Sequence, residues 1–300
     1  MSTLRIGTRG SKLALLQSGV VADLLRAAHP GLMVELITIT TAGDRDQTSV
    51  LSSGEAVGWF TTAIQEALQR DEIDVAVHSY KDLPTKRPKG LVIAAVPVRE
   101  DPRDALVSSN RATFRGLKAG AIIGTSSARR EAQLRGIRPD IEIRPIRGNV
   151  DSRVAKVDAG EFDAVVLALA GLKRLGLEKR VSHVFGLEEV IPAPAQGALA
   201  VECRSADETT RALLTAIDDP VLRQTVTAER VFLATIDGGC SFPAGAYAEH
   251  FGSTLKLHGL LAPNGRIVRS KMAGPSATAA GLGRSLAEEL MALSGMTRER

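Results

Sequence analysis

Two α/β domains followed by a small α+β domain are predicted for this chain, on three observations. Short β-branched runs alternate with amphipathic helical stretches from the N-terminus to about residue 98. The alternation breaks at Glu100-Asp-Pro-Arg-Asp104, which reads as a hinge, and then restarts. After Asp218-Asp-Pro220 it gives way to a helix, several consecutive strands and a last helix. A chain of 300 residues with 44% hydrophobic and 24% charged residues has material for two or three cores. With aromatic residues at only 3%, those cores must be built from Val, Leu, Ile and Ala.

The elements follow in order. Leu4 to Gly7 is a strand ending at glycine. Leu13, Leu16, Val20 and Leu24 recur at helical spacing, Val21 and Leu25 widen the stripe, and His29-Pro30-Gly31 stops it. Val34 to Thr41 is a strand, 43–58 a polar, glycine-containing loop expected to be mobile, and Phe60 to Leu68 a helix. Strands at Asp74–His78 and Leu91–Val96 complete the first unit. In the second, strands at Ala121–Gly124, Ile141–Ile146 and Ala164–Leu169 are each followed by a helix. Ile191-Pro-Ala-Pro-Ala195 reads as a crossing back to the first unit, with Leu199–Cys203 as a returning strand. The expected domains are therefore 1–98 with 198–216, then 103–192, then 220–300. The last holds a helix at Val221–Ala234, strands between Ala246 and Ser270, and a helix at Ala277–Leu293.

Charge and composition exclude several functions. Lys and Arg number 38 against 34 Asp and Glu, and aromatics for base stacking are scarce, so nucleic-acid binding is not expected. No run of about eighteen apolar residues could span a bilayer, and no signal-like start is present, so a cytoplasmic protein without membrane contact is expected. The two cysteines, Cys203 and Cys240, are not expected to form a disulfide. No His/Cys set has metal-ligand spacing, so no metal is expected.

Three strand-to-helix junctions of the second unit carry hydroxyls, glycines and arginines. They are Gly124-Thr125-Ser126-Ser127 before Arg129 and Arg130, Arg147-Gly-Asn149 before Arg153, and Ala170-Gly171 before Arg174. In a parallel sheet such junctions gather at one edge, where helix N-termini and guanidinium forks favour carboxylates or phosphates. Solvated surface arginines are the plainer reading of any one of them; their succession favours an anion site. Asp82, just past a buried-looking strand, could protonate a leaving amine or stabilise a cation. From position alone it reads as a turn aspartate before Pro84. Cys240, between glycines and Ser241-Phe-Pro243, could be an exposed nucleophile, although buried hydrophobe is the commoner use of cysteine and suits Cys203 well. His78 reads as a structural strand residue.

Taken together, eight segments resemble the porphobilinogen deaminase (hydroxymethylbilane synthase) family, in the family's order. They are Arg5-Ile-Gly-Thr-Arg-Gly-Ser11, Ala76-Val-His-Ser-Tyr-Lys-Asp-Leu-Pro84, Arg99-Glu-Asp-Pro-Arg-Asp-Ala105 and Gly124-Thr-Ser-Ser-Ala-Arg-Arg130. Arg147-Gly-Asn149, Ala170-Gly-Leu-Lys-Arg-Leu-Gly176, Pro194-Ala-Gln-Gly-Ala198 and Gly238-Gly-Cys240 complete the set. The resemblance implies two periplasmic-binding-protein-like α/β domains flanking a cleft, a small C-terminal α+β domain and a monomer. It implies a dipyrromethane cofactor held by a thioether at Cys240, and Asp82 as the catalytic residue. It implies that porphobilinogen and the growing polypyrrole are bound by Arg9, Ser11, Phe60, Ser79, Lys81, Thr125, Ser126, Ser127, Arg129, Arg130, Arg147, Arg153 and Arg174. The implied product is 1-hydroxymethylbilane, made by four deaminating condensations and one hydrolysis. Given the implied cleft, the mobile loop over 43–58 is expected to act as its lid. One stretch departs from the pattern: Val57 and Thr62 stand where many relatives carry lysines. A non-catalytic, two-lobed anion-binding protein is the competing expectation, with a reversible ligand and no need for Asp82.

Overall fold

The computed structural model describes residues 3–40, 61–237 and 242–296. The predicted lid over 43–58, Phe60 and Cys240 lie outside the described residues. The chain divides into two compact units, one of Met1–Arg99 with Ala198–Arg223 and one of Glu100–Gly197 with Gln224–Arg300.

The strands are, in chain order, β1 (Leu4–Thr8), β2 (Val34–Thr38), β3 (Val75–Ser79), β4 (Leu91–Ala95) and β5 (Asp104–Ser108). Then come β6 (Ile122–Gly124), β7 (Glu142–Arg144), β8 (Ala164–Ala168), β9 (His183–Val184) and β10 (Leu199–Arg204). The last are β11 (Ala244–Phe251), β12 (Thr254–Leu261) and β13 (Val268–Pro275). The helices are α1 (Lys12–Ala28), α2 (Thr62–Gln69), α3 (Ala128–Ile137), α4 (Val150–Asp158), α5 (Leu169–Arg174), α6 (Glu208–Thr215), α7 (Pro220–Ile236) and α8 (Ala279–Ser294).

The first unit is a five-stranded sheet in the order β2-β1-β3-β10-β4. β1 runs parallel to both its neighbours, and β10 runs antiparallel to both of its own. Alternate residues of β3 serve opposite faces. Val75 and Val77 meet Val21, Ala22 and Leu25 of α1, while Ala76 meets Ile64, Ala67 and Leu68 of α2. A fully buried side chain such as Leu25 contributes about 1.5–3 kcal/mol to such a layer. The inward face of α1 differs from the predicted stripe. Leu16 and Val20 are 40% and 39% exposed, whereas Gln17, Ser18, Val21, Ala22 and Leu25 are buried. The turn of the helix is set by a polar contact, because the Gln17 amide reaches Ser79 at the end of β3.

The second unit repeats the plan. Its five-stranded sheet has the order β7-β6-β8-β5-β9, with β6 parallel to both neighbours and β5 antiparallel to both of its own. In each sheet the reversed strand is the first one after the chain enters that unit from the other, β5 after Arg99 and β10 after Gly197. The hinge expected at 100–104 is thus followed at once by a strand that the alternation does not reveal. All of β5 is buried, so it carries no polar–apolar period to be read.

The same unit holds the three-stranded antiparallel meander β11-β12-β13, covered by α7 and α8 over a core centred on Phe232, Leu257 and Leu286. Polar contacts join it to the segment following β9. Glu229, fully buried in α7, accepts from the Ala195 N–H at 2.6 Å and the Ala248 N–H at 2.8 Å. Arg269 of β13 donates to the carbonyls of Glu188 and Glu189. Among the described residues, no helix is long and apolar enough to cross a membrane.

Close approach of α7 and α8 requires a glycine. A Cβ on Gly283 would lie 2.2 Å from the Ala228 carbonyl oxygen, a backbone atom that cannot step aside. Gly283→Ala should therefore destabilise the chain by about 1–3 kcal/mol. Urea denaturation is the measurement, and an unchanged midpoint would show that the two helices can separate without cost.

Candidate active site

β1 and β3 are parallel neighbours, so their carboxyl ends deliver two predicted segments to one edge of the first sheet. The first is Arg9 to Ser11. The Ser11 hydroxyl caps α1, accepting from the Ala14 N–H at 3.3 Å. The second runs from Ser79 through Lys81 to Asp82. Ser79 is paired with the buried Gln17 amide, whose Nε2 lies 2.8 Å from its oxygen. Gln17 is not among the expected site residues; an amide inside an otherwise apolar stripe is the signal that marks it. Tyr80–Asp82 forms one 3-10 turn, closed by the Leu83 N–H on the Tyr80 carbonyl at 3.3 Å. Leu83 is 2% exposed and plugs the turn into the core, leaving the Asp82 carboxylate exposed at the end of a buried strand.

In the second unit the three arginine-bearing junctions follow β6, β7 and β8, which are neighbours in the sheet. Their hydroxyls are engaged with backbone. Thr125 accepts from the Ser127 N–H. Ser126 donates to the Ile146 carbonyl at 2.7 Å and accepts from its N–H at 3.0 Å. Ser127 caps α3 through the Arg130 N–H. These bonds lace the first junction to the second. Arg147 is exposed, Arg153 is half-buried with its Nε on the Gly148 carbonyl, and Arg174 donates to the Gly197 carbonyl at 2.7 Å. Gly197 holds φ +86°, and a Cβ there would strike the Glu100 carbonyl oxygen at 2.2 Å.

Arg129 and Arg130 have a partner that the junction pattern does not predict. Both are buried, at 4% and 7% exposure, around a fully buried Asp104. Arg129 Nη1 donates to Asp104 Oδ2 at 2.8 Å and to the Ile191 carbonyl at 2.7 Å. Arg130 donates through Nε and Nη2 to Asp104 Oδ1, and through Nη1 to the Val166 carbonyl. Gln196 adds a bond to the same carboxylate at 2.9 Å. Burial alone would raise the Asp104 pKa; the two guanidinium charges and their hydrogen bonds outweigh it and hold the group well below the usual carboxylate range. Cys203, inside β10, is fully buried, and burial pushes its thiol up to about 11, as suits an inert core residue. Among the described residues, no cluster of His, Cys, Asp and Glu could hold a metal ion.

The model of the porphobilinogen deaminase dipyromethane cofactor binding domain matches residues 4–212, and that of the porphobilinogen deaminase C-terminal domain matches 223–292. A porphobilinogen deaminase from Roseiflexus castenholzii (strain DSM 13941 / HLO8) is 47% identical over 98% of this chain and 97% of its own. The chain belongs to the porphobilinogen deaminase family. A second relative, the porphobilinogen deaminase of Roseiflexus sp. (strain RS-1), is 48% identical over 98% of this chain and 97% of its own. Among solved structures, the Bordetella pertussis BvgS periplasmic VFT2 domain matches at 15% identity and a TM-score of 0.42, over 72% of this chain and 86% of that one. The porphobilinogen deaminase cofactor-domain match takes in Asp82 and every arginine junction, and the C-terminal match takes in Cys240.

The buried carboxylate carries a pH signature. Unfolded, Asp104 titrates at about 4; folded, it ionises more readily. Its contribution to stability is complete above the unfolded value and is lost as pH falls through the folded one. Asp104→Asn should cost about 3–5 kcal/mol at pH 7, because it strands two buried guanidinium groups. The gap to the unsubstituted chain should narrow by about 1 kcal/mol at pH 3. Urea titrations at the two pH values test this, and an equal gap at both would assign the loss to packing.

Proposed function

We propose that this chain is a transferase of tetrapyrrole biosynthesis, a hydroxymethylbilane synthase. It condenses four porphobilinogen units onto a dipyrromethane primer and then releases 1-hydroxymethylbilane by hydrolysis. The observation that carries the reading is family membership over 98% of the chain. The primer's thioether falls to Cys240, the cysteine of the Gly238-Gly239-Cys240 segment. The reading keeps three domains, 1–98 with 198–216, 103–192 and 220–300, in a cytoplasmic monomer.

The residues suit the groups they would hold. Each pyrrole ring bears an acetate and a propionate, and carboxylates leaving water need matched cations. Arg147 is exposed and Arg9, Lys81 and Arg153 are half-buried, all following the carboxyl ends of strands. These are the proposed direct partners, with hydroxyls from Ser11, Ser79 and Thr125–Ser127. For Arg129, Arg130 and Arg174 the same role falls to the N–H groups not already given to Asp104 or to backbone carbonyls. Phe60 would pack on a ring.

When bound, the primer supplies a free pyrrole α-carbon as the nucleophile. Asp82 does the proton work. Exposed at the end of a rigid strand, it protonates or directs the proton to the aminomethyl nitrogen as ammonia departs. The resulting carboxylate then accepts the pyrrole N–H and offsets the positive charge left on the substrate. No group of the chain need be altered between rounds, because the proton passed to ammonia is recovered from the attacked carbon.

Intact mass of the denatured protein, beside Cys240→Ser, tests the tether. An excess of two linked pyrrole units in the unsubstituted chain, missing from the variant, is expected; the bare polypeptide mass in both, even after incubation with porphobilinogen, would sink the reading. Asp82→Asn should keep its melting temperature, since the side chain is exposed, and lose about 10²–10⁴-fold in porphobilinogen turnover. Near-normal turnover would remove Asp82 from the mechanism.

A further inference from the structure

The segment that carries Asp82 is held at both ends by one buried carboxylate. Glu202 of β10 is fully buried. Its Oε2 receives the Nε2 of His78 at 3.1 Å, and its Oε1 receives Nη2 of Arg87 at 2.6 Å. Since an ionised carboxylate only accepts, His78 must carry its proton on Nε2. Gln65 of α2 donates to both oxygens, at 3.3 and 3.2 Å. His78 lies four residues before Asp82 and Arg87 five after it. His78 and Ser79 end β3; from there to Arg87 the only regular structure is the turn Tyr80–Asp82, further pinned by the Tyr80 N–H on the Ala198 carbonyl at 3.0 Å.

A carboxylate buried in a sheet is costly unless cations and donors meet it. Here burial would raise the Glu202 pKa, and His78, Arg87 and Gln65 together bring it below its ordinary value, so the charge is kept. A hydrophobic residue would fill this place in the sheet at less cost. What the charge adds is a fixed point that ties the irregular chain leaving Asp82, through Arg87, back to His78 at the end of β3. We infer that Glu202 is a positioning residue for Asp82, acting through His78 and Arg87, and that Arg87 is the arm that fixes the outgoing chain.

The inference rests on the proposed role of Asp82. Glu202→Gln is a hazardous test, since a fully buried group is changed. Arg87 is 29% exposed and can be replaced with less risk to folding. Arg87→Leu frees the outgoing arm, and Arg87→Lys keeps the charge and most of the reach. The measurements are kcat and KM for porphobilinogen, with kcat expressed per molecule shown by mass to carry the primer, and the melting temperature. Displacing a working group by about 1 Å can cost up to about 10²-fold, so Arg87→Leu should lower kcat about tenfold with KM unchanged. Arg87→Lys should return it to within about threefold of the unsubstituted chain. A merely structural role would lower melting temperature and the primer-loaded fraction while leaving kcat per loaded molecule intact, and that result overturns the inference. So does a rise in KM at constant kcat, which would make Arg87 a substrate ligand. If the unsubstituted chain neither carries a primer nor consumes porphobilinogen, it is the functional reading that fails.

Discussion

Asp104 has no solvent to ionise into, so its charge must be met by side chains, and the elements supplying them are held to one point. Arg129 and Arg130 bring α3, Gln196 brings the segment before β10, and the second bonds of the two arginines reach Ile191 and the Val166 carbonyl of β8. The junction that carries Thr125 to Ser127 is therefore set by a charge on a different strand. The second unit's apolar core cannot do this, since hydrophobic side chains pack without direction, whereas guanidinium hydrogen bonds fix an angle as well as a distance.

The first unit has a counterpart. Its reversed strand, β10, also brings a fully buried acid, Glu202, and that acid also gathers an arginine and a glutamine. In both sheets the strand that enters from the other unit carries the charge that organises its new neighbours. The two acids differ in what they hold. Asp104 fixes the frame around an arginine-rich edge, and Glu202 fixes the frame around a single carboxylate.

Much of this was legible in the sequence, and the exceptions have physical causes. Strand–helix alternation locates β1, α1, β3, β6, α4 and the terminal helix, the helices by an apolar stripe that faces a core and the strands as short apolar runs between turn residues. β5 is hidden because its apolar run is only Ala105 to Val107, between a buried Asp104 and Ser108. α6 went unread although Asp207 caps it by accepting from the Thr210 N–H at 2.9 Å, since its apolar stripe is only a few residues long. Asp82 and the arginines were visible as residue types at junctions, but which arginines are already engaged was not. That depends on Asp104 and Glu202 meeting side chains from helices and loops distant in sequence. Periodicity along one segment cannot report it.

Cys203 has a consequence of its own. The chain has two thiols, and one of them is sealed inside β10 and kept protonated at neutral pH. An electrophilic pyrrole presented to the folded chain thus finds no competing thiolate in β10, and the proposed tether at Cys240 has no rival in Cys203.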